Sequence, residues 1–553
     1  MDATGNSLIV VHRVGNHGRR TSCGTCARGR AQANLPQATK DCSHNTGIGY
    51  RFMRTLAVVA ALSASVLASG LAEVRAQDTK LTVGLTSDFP SVDPLMDLSP
   101  IGFNLRLNVY DQLTEIRKDG SVGERLAKSW QSSPDAKSWT FELRTDAKFH
   151  DGSPVTVDDV IWTVKKALGD SRSPLKVYLA KVQSVDRVSD TQVRFNLSEP
   201  FAIFHRQMTF VSILPQKAYE AMGEAEFSQK PIGSGPYKLV RRIKDDRTEL
   251  IAFDQYWRGA PKIKNVILRP IPSPFARNSA LLTGEIDIDP SVPPSLIPKL
   301  QANPDVKVTQ ADGFRVMYIG FNVNYAPALA DSNFRLAVDA AIDREALGTK
   351  LLRGLGRPTG QLPAKVVFGH DASIPVTPFN PQKAKELLAK TAYKGEPIPL
   401  QYPNNNYALA DDVAQAISGY LKNVGINVEL KPMEFSAFLP AWAQRKMEGM
   451  FYFAFGPAVF DADNITSGMY ENGSRIYQVD PEVDRLSREA RAESDQAKRK
   501  QLFSQIFKIS NATAAYVPLY EEVLSFATRA DVNWEPIADG YFRFYQMEPP
   551  KRK

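Results

Sequence analysis

Cysteine is almost absent from this 553-residue chain, and its three copies, Cys23, Cys26 and Cys42, all stand near the amino terminus. Removal of the first 76 residues would leave a chain without a thiol or a disulfide. Such a chain has no cysteine nucleophile and no cysteine metal site. Cys23 and Cys26 have neither a second ligand pair nor a thioredoxin-like strand and helix beside them, so they predict no zinc or redox site.

Histidine and the glycine-rich motifs of nucleotide-binding proteins are also scarce. Only His150, His205 and His370 follow residue 76, and their wide spacing argues against a histidine-rich metal site. Neither G-x-G-x-x-G nor G-x-x-x-x-G-K-[ST] occurs, so the sequence does not predict nucleotide binding. We therefore expect no metal and no other cofactor.

Two short patterns resemble fragments of catalytic sites. Gly233–Gly235 (GSG) lacks the spacing of a nucleophile elbow and precedes a strand, which predicts a tight bend that uses the φ freedom of glycine. His150–Gly152 (HDG) stands between a strand pattern and a helix pattern, and nothing places a nucleophile opposite the histidine. A structural turn is the favoured interpretation. We predict no catalytic residue.

Two pairs of aspartates stand two residues apart, Asp287 with Asp289 and Asp461 with Asp463. Such a pair can bind a metal ion or act as acid and base. One pair by itself is a weak signal for either role. We expect these carboxylates to accept hydrogen bonds from nearby backbone amides.

The stretch from Arg51 to Gln77 has the pattern of a secretion signal. Met53 and Arg54 give a short positive start, and an apolar run follows that is shorter than the roughly 20 residues needed to cross a bilayer. Ala76 is the small residue expected before a cleavage site. An internal core helix is the alternative interpretation. We expect residues 53–76 to be a cleavable signal peptide, without a lipid anchor because no cysteine follows, and the mature protein to be periplasmic.

Residues 1–52 are rich in Gly, Arg, Asn, Thr and Ser and have no sustained apolar period, so we expect a non-native or disordered leader, with translation beginning at Met53. The first 76 residues carry nine Lys/Arg and three Asp/Glu, which is most of the net charge of +8. The mature chain is therefore close to neutral, and no nucleic-acid partner is predicted. Its length exceeds that of one hydrophobic core, so two or three domains are expected.

Strand and helix patterns alternate along the mature chain. The first half is mostly strand-like, with a helix that begins after Thr156 as N-cap. The second half alternates helices and strands, which is typical of an α/β lobe. The patterns predict strands at 79–85, 138–144, 182–188, 191–197, 426–431 and 450–455, and helices at 333–342, from 381 onward, and at 408–424, 435–446 and 495–511.

Several segments of the mature chain resemble one protein family. The sequence SWTFELRTDAKFHDGSPVTVDDV, within residues 130–160, is similar to the signature of extracytoplasmic solute-binding proteins of family 5, the peptide/nickel class, which serve ABC importers. The resemblance continues in the same order through GSGPYKL (233–239), FDQYWRGAPKI (253–263), LLTGEIDI (281–288), YIGFN (318–322), NFRLAVDAAIDREAL (333–347) and VGINVEL (424–430).

The resemblance implies an α/β, bilobed periplasmic-binding-protein fold of class II, the large three-part type, with mixed sheets in each lobe. Lobe I would comprise residues 77–104, 231–320 and 520–553, with an inserted subdomain at 105–230, and lobe II would comprise residues 321–519. The resemblance also implies that a monomer captures a small organic solute between the lobes and delivers it to an inner-membrane ABC permease. Closure would follow from the ligand's greater affinity for the closed state.

Two departures from the family pattern bear on the ligand. Dipeptide-binding relatives have an Asp that receives the peptide ammonium, and Ala458 stands at the matching position. Their Arg for the peptide carboxylate has no counterpart in residues 403–407. The ligand is therefore expected to be a modified peptide, an opine-like conjugate, a sugar or another solute, and unmodified dipeptides are expected to bind poorly.

The predicted ligand contacts are polar or aromatic residues that border loops rich in Gly, Pro and Asn, together with the alanine at the ammonium position. For the aromatic members, core packing is the alternative. The set comprises Phe89, Asn404, Asn406, Tyr407, Trp442, Phe455, Ala458 and Phe460.

Two other functions are compatible with an exported chain. A secreted hydrolase would need a nucleophile or metal constellation, which three scattered histidines do not supply. A binding protein that serves a chemoreceptor would have the same sequence features as one that serves a transporter.

Overall fold

The computed structural model describes residues 79–552, except for residues 405 and 478. The predicted leader (1–52) and signal peptide (53–76) lie outside the described residues. Within the part of the chain that is described, no helix is both long and apolar enough to cross a membrane.

The strands, numbered in chain order, are β1 (Lys80–Leu85), β2 (Thr114–Ile116), β3 (Val122–Glu124), β4 (Ala127–Ser132), β5 (Ser138–Leu143), β6 (Val182–Arg187), β7 (Gln192–Leu197), β8 (Tyr237–Ile243), β9 (Arg247–Ala252), β10 (Asn265–Pro270), β11 (Ile288–Asp289), β12 (Val306–Phe321), β13 (Gly356–Pro358), β14 (Ile398–Pro403), β15 (Val428–Met433), β16 (Met450–Phe455) and β17 (Val517–Arg529).

The helices are α1 (Pro100–Val109), α2 (Val157–Gly169), α3 (Lys176–Leu179), α4 (Phe204–Gln207), α5 (Gln216–Phe227), α6 (Pro274–Thr283), α7 (Ile297–Gln301), α8 (Pro327–Ala330), α9 (Ser332–Ala341), α10 (Pro381–Leu388), α11 (Ala410–Asn423), α12 (Phe435–Ala443), α13 (Asp463–Met469), α14 (Pro481–Ala492) and α15 (Gln496–Ala512). A π-helical turn spans Ala346–Leu351, and a 3₁₀ turn spans Phe544–Gln546.

Most helix and strand predictions agree with the structure to within two or three residues. The Thr156 side chain accepts the Asp159 amide and the Asp159 carboxylate accepts the Thr156 amide, so a complete capping box begins α2. Asn380 caps α10, whose first residue is Pro381, as the sequence predicts. In β5 buried and half-buried residues alternate, which is the period of a strand with one face on the core.

The main sheet has eleven strands and is mixed. Its order is β15-β14-β16-β12-β17-β11-β1-β10-β9-β8, and β13 also pairs with β17. β1 is parallel to β10 and β11, and β14 is parallel to β15 and β16, whereas the other pairs of this sheet are antiparallel. A separate antiparallel sheet has the order β4-β5-β7-β6, and β2 pairs with β3.

β12 and β17 are the long strands at the middle of the main sheet. They pair with each other from Val306 to Ile319, and their register shifts between Asp312 and Val316. β11 pairs with β17 on one side of this shift, and β16 pairs with β12 on the other. We call these two strands the crossing strands, because they join the two halves of the sheet. Residues 313–315 therefore lie in a local break of the ladder.

The hydrophobic core has several parts, which follow the two halves of the sheet. One part joins β1, β10 and the four-stranded sheet with the carboxyl-terminal residues Phe542 and Phe544. A second part packs α9 and α11 against β14 and β16. A third part packs α14 and α15 on the other face of β12 and β16.

The carboxyl-terminal segment is tied to α1 by buried hydrogen bonds. The Asn108 side chain donates to the carbonyl of Phe542 and accepts the amide of Phe544, at 2.8 and 2.9 Å. The Asn104 side chain accepts the amide of Phe542 at 3.0 Å. These contacts join residues more than 430 positions apart in the chain.

The bend at Gly233–Gly235 is present, but its predicted cause is wrong. Neither glycine has a positive φ. A Cβ at Gly233 would lie 1.9 Å from the carbonyl oxygen of Val109, and one at Gly235 would lie 2.6 Å from that of Asn108. Glycine is required here because the bend packs directly on the end of α1.

His150 holds this bend in place from the neighbouring turn. Its Nδ1 accepts the amide of Gly233, and its Nε2 lies 3.0 Å from the carbonyl oxygen of Gly235. Burial lowers the pKa of His150 to about 4, so the ring is neutral near pH 7. Asp151 accepts the amide and hydroxyl of Ser153, which confirms the structural turn.

The two aspartate pairs bind arginines in the core. Asp461 is fully buried and accepts two hydrogen bonds from Arg499, at 2.8 and 3.0 Å. Asp289 accepts a hydrogen bond from Nε of Arg277 at 2.9 Å. The expected amide bonds are also present, since Asp461 accepts the amide of Asp463 and Asp287 accepts that of Thr82. The sequence did not indicate the arginine partners, which lie 12 residues from Asp289 and 38 residues from Asp461 in the chain.

Candidate functional site

A cavity of about 710 Å³ opens beside the crossing strands. Its walls come from the loop after β1, the start of α1, the start of α6 and residues 538–541 on one side, and from Leu355 and the loop after β14 on the other. The lining includes Asn104, Phe314, Arg315, Asn406, Tyr407, Glu522, Ser525, Asp539 and Tyr541.

An ion pair between the crossing strands forms part of this cavity wall. Arg315 donates through Nε and Nη2 to the two carboxylate oxygens of Glu522, at 2.7 and 2.8 Å. The side chains are 39% and 23% exposed, so the pair faces the cavity and is not sealed in the core. Arg315 lies against Gly456, where a Cβ would be 2.7 Å from its Cγ. Gly456 therefore leaves room for the Arg315 side chain beside the break in the ladder.

The loop after β14 supplies one wall of the cavity. Tyr407 is half-buried, and its ring lies 6.4 Å from that of Tyr452 and 6.2 Å from that of Phe453. Burial raises the pKa of Tyr407 to about 12, so its hydroxyl remains protonated and can donate a hydrogen bond. Asn406 is exposed on the same loop.

The opposite wall is formed by Asp539 and Tyr541. Arg543 donates to both oxygens of Asp539, at 2.6 and 3.1 Å, and both side chains are almost fully buried. Asp539 also accepts the amide of Tyr541. Burial raises the pKa of Tyr541, so this hydroxyl too stays protonated.

A small recess of about 20 Å³ shares Phe314, Asp539 and Tyr541 with the main cavity. Ala458 forms part of it, and the rest of its lining comprises Phe103, Leu107, Ile116, Thr209 and Phe210, together with the charged residues Glu115 and Arg543. Glu115 accepts two hydrogen bonds from Arg258, at 2.9 and 3.0 Å. We call this pocket the Ala458 recess.

The structure brings together some of the predicted ligand contacts and places others in the core. Asn406 and Tyr407 line the main cavity, and Ala458 lines the recess. Phe89 is buried beneath the Arg242 guanidinium. Phe460 is buried against Phe314, with ring centroids 5.2 Å apart.

Trp442, Phe455 and Asn404 also lie away from the cavity lining. Trp442 is buried and donates from Nε1 to the hydroxyl of Tyr318 at 3.1 Å, and Phe455 packs 6.0 Å from it. The backbone N–H of Asn404 donates to the carbonyl of Met433. The side-chain Oδ1 of Asn404 is buried without a partner among the described residues. The role of these residues as ligand contacts stays a prediction.

Sequence reasoning missed Arg315, Glu522 and Asp539. One signal was available for the first two. Arg315 interrupts an apolar strand (FRVMYIGF), and Glu521-Glu522 interrupts another (VPLYEEVLSF). A charge inside an apolar strand needs a partner, and two such strands of opposite charge can supply each other. Asp539 lies in an irregular segment that gives no such signal.

The site therefore combines hydroxyl groups, an amide, a solvent-facing ion pair and apolar walls. This is the composition of a pocket for a small organic solute. In the stretch that the structure describes, no group of three His, Cys, Asp or Glu is placed to hold a metal ion.

Comparison with known proteins identifies the family. The family model of bacterial extracellular solute-binding proteins, family 5 (Middle), matches residues 121–475. The chain belongs to this family. This extracellular solute-binding protein is 27% identical over 520 residues to the probable D,D-dipeptide-binding periplasmic protein DdpA of Escherichia coli K12, a match that covers 89% of this chain and 99% of DdpA.

A second relative agrees with this assignment, and a solved structure shows the same fold. A putative ABC transporter peptide-binding protein of Brucella ovis is 30% identical over 434 residues, which is 73% of this chain and 79% of the relative. The crystal structure of the ABC transporter substrate-binding protein CtaP of Listeria monocytogenes superposes with a TM-score of 0.78 at 23% identity, covering 85% of this chain and 99% of CtaP. The predicted fold class, a class II periplasmic-binding-protein fold with mixed sheets, is confirmed.

Proposed function

We propose that this solute-binding protein captures a peptide-like solute in the 710 Å³ cavity and delivers it to the inner-membrane permease of an ABC importer. The observation that carries the proposal is a cavity with hydrogen-bonding and apolar walls, set beside the strands that join the two halves of the sheet. The named relatives support the ligand class, since one is described as a probable D,D-dipeptide-binding protein and another as a putative peptide-binding protein of an ABC transporter. Neither is named for an opine or a sugar.

The proposed lobes keep the boundaries given by the resemblance. Lobe I would be residues 77–104, 231–320 and 520–553, the inserted subdomain 105–230, and lobe II 321–519. The sheet topology supports this division, because β1 and β8–β11 lie on one side of the crossing strands and β14–β16 on the other. The four-stranded sheet β4–β7 falls within the inserted subdomain. Movement about the crossing strands would open and close the cavity.

The proposal also includes binding without chemical conversion. The family is one of transport proteins that bind substrates, which argues against the secreted hydrolase. A role beside a chemoreceptor would use the same cavity and differ only in the membrane partner. Mass spectrometry of the ligand recovered after release should find it unchanged, and a converted product would contradict the proposal.

We further propose that the protein acts as a monomer in the periplasm, after cleavage between Ala76 and Gln77. The named Escherichia coli relative is described as periplasmic, which supports this location. Amino-terminal sequencing of protein from the periplasmic fraction should read from Gln77. Recovery of a periplasmic chain that begins at Met1 would contradict the cleavage.

Calorimetry with a panel of peptides, opines and oligosaccharides tests the ligand class. We expect peptide-like compounds to bind and the other two classes not to bind. Tyr407→Ala should weaken this binding, because the Tyr407 ring lines the cavity. Tyr325→Ala is a matched control, since Tyr325 is 46% exposed and lies outside the cavity lining. Binding of sugars or opines alone would contradict the proposal.

A further inference from the structure

The acids of the cavity are already paired with arginines. Among the described residues that line the main cavity or the Ala458 recess, the carboxylates are Glu115, Glu522 and Asp539. Each accepts two hydrogen bonds from one guanidinium: Arg258, Arg315 and Arg543 respectively. A ligand ammonium entering here would have to compete with an arginine for its counter-charge, while losing its own hydration.

The guanidinium of Arg315 differs from that of Arg543, whose unpaired Nε is buried, because it combines an unused nitrogen with exposure on the wall of the main cavity. Its Nε and Nη2 are used by Glu522, and no described residue accepts a hydrogen bond from Nη1. The side chain is 39% exposed on the cavity wall. A carboxylate that binds this nitrogen gains a charge-assisted hydrogen bond without breaking the pair with Glu522. The hydroxyl of Ser525, which is buried without a described partner, is a further polar group in the same wall.

The Ala458 recess extends the cavity into apolar surroundings. Phe314 borders both spaces and precedes Arg315 in β12, and both residues line the main cavity, so the recess adjoins the part of the cavity that β12 lines. Phe103, Phe210 and Tyr541 form its aromatic walls. A methyl or short acyl group can be buried there without leaving a charge unpaired, whereas an ammonium cannot.

We propose that the solute is an amino acid or short peptide whose amino end is blocked by a small acyl group and whose carboxylate is free. Arg315 binds the carboxylate, and the Ala458 recess takes the blocking group. This inference rests on the proposed function, namely that the main cavity binds a peptide-like solute.

Three forms of one dipeptide test the proposal on the unchanged protein. Calorimetry would compare Ala-Ala, N-acetyl-Ala-Ala and N-acetyl-Ala-Ala-amide. We expect N-acetyl-Ala-Ala to bind most tightly. Removal of the carboxylate charge in the amide should raise Kd by about tenfold to a hundredfold, which corresponds to the loss of a hydrogen bond to a charged group. Free Ala-Ala should bind at least about tenfold more weakly than its acetylated form, because its ammonium is left without a counter-charge.

The possible results distinguish failure of this inference from failure of the proposed peptide-binding function. Equal binding of Ala-Ala and N-acetyl-Ala-Ala would overturn the blocked amino end. Equal binding of the acid and the amide would overturn the role of Arg315. Binding of none of the three, together with none of the wider peptide panel, would overturn the proposed function and this inference with it.

Variants of Arg315, Glu522 and Ala458 test where the ligand carboxylate and the blocking acyl group bind. In Arg315→Gln/Glu522→Gln both charges are removed together, so no unpaired charge remains, and the preference for the acid over the amide should disappear. Glu522→Gln alone frees the guanidinium and should keep that preference. Ala458→Leu fills the recess and should abolish the preference for the acetylated form while the preference for the acid remains. An Ala458→Leu protein that still prefers the acetylated form would show that the acetyl group does not bind in the recess. If a variant does not fold, the three peptides measured on the native chain still test the proposal.

Discussion

Arg499 and Asp461 form a buried ion pair within the third part of the core, where α15 packs on the loop before α13. Both side chains are almost fully buried, at 1% and 0% exposure. Nε of Arg499 also donates to the carbonyl of Ala490, so the guanidinium is held by two elements at once. The cost of burying two charges is offset only while both partners are present.

Arg499→Met is therefore expected to lower the free energy of unfolding by about 3–5 kcal/mol, because the Asp461 carboxylate is left buried without its main partner. Urea denaturation followed by circular dichroism measures this loss. Arg485→Met is the matched control, since Arg485 pairs with Glu482 and Glu489 at 58% exposure and the urea midpoint should stay almost unchanged. Similar losses in the two variants would contradict the prediction.

His205 predicts how stability depends on pH. Its ring lies between Trp130 and Trp139, and burial lowers its pKa from 6.5 to about 3. The unfolded chain takes up this proton near pH 6.5 and the folded chain does not, so stability is complete above that pH and is lost as the pH falls toward 3. At pH 5 the loss should be about 2 kcal/mol relative to pH 7.

His205→Phe keeps an aromatic ring of similar size and removes the titration. We expect the urea midpoint of this variant to decline less between pH 7 and pH 5 than that of the unchanged protein. Parallel declines in the two proteins would show that His205 does not cause the pH dependence.

At the scale of single residues, sequence reasoning found what local patterns can show. The turn at His150, Asp151 and Gly152 was predicted because turn chemistry is local. Asn406 and Tyr407 were selected from their place in a loop, and they line the cavity. Arg315 and Glu522 were missed because their meaning depends on a partner about two hundred residues away. No period or motif encodes that distance.

Among the elements, the well-capped and strongly periodic ones were predicted best. α2 begins at its capping box, and α10 begins at its proline, because these signals act within one turn. The glycines before β8 show the limit of this approach. Gly233 and Gly235 were correctly placed in a bend, but the reason for them is the carbonyl groups of α1, which the sequence cannot place beside them.

The packing of this bend gives a prediction for two glycine substitutions. Gly235→Ala would put a Cβ within 2.6 Å of the Asn108 carbonyl oxygen and should destabilise the protein by about 1–3 kcal/mol. Gly419→Ala is the control, because Gly419 lies exposed within α11 with no atom within 4 Å of the added Cβ. It should stabilise the protein by about 0.5–1 kcal/mol. Thermal melts measure both changes, and a neutral Gly235→Ala would contradict the close packing.

For the whole molecule, the fold class came from the resemblance and is confirmed. The continuous eleven-strand sheet was not predicted, and neither was the full length of β12. The register of β12 against β17 joins residues that are about two hundred positions apart, so it depends on tertiary packing that periodicity does not record. The position of the cavity follows from that register, so the sequence alone could not show which of the predicted contacts line it.

Closure about the crossing strands predicts a change in overall size. The radius of gyration measured by small-angle scattering should fall when N-acetyl-Ala-Ala is added, because the ligand contacts both sides of the cavity only in the closed state. Arg315→Gln/Glu522→Gln is the control, since it should show a smaller change at the same ligand concentration. An unchanged radius in the native protein at saturating ligand would contradict a closing motion.

The hydrogen bonds between α1 and residues 542–544 bear on the order in which the chain can fold. The half of the molecule that is synthesised first has its core completed by Phe542 and Phe544, and its sheet is joined to the other half by β17. Contacts of such long sequence separation form slowly, because a very long loop must close before they stabilise anything. The polypeptide therefore cannot complete its structure while it is still being made, so the predicted signal peptide would act on a chain that has not finished folding.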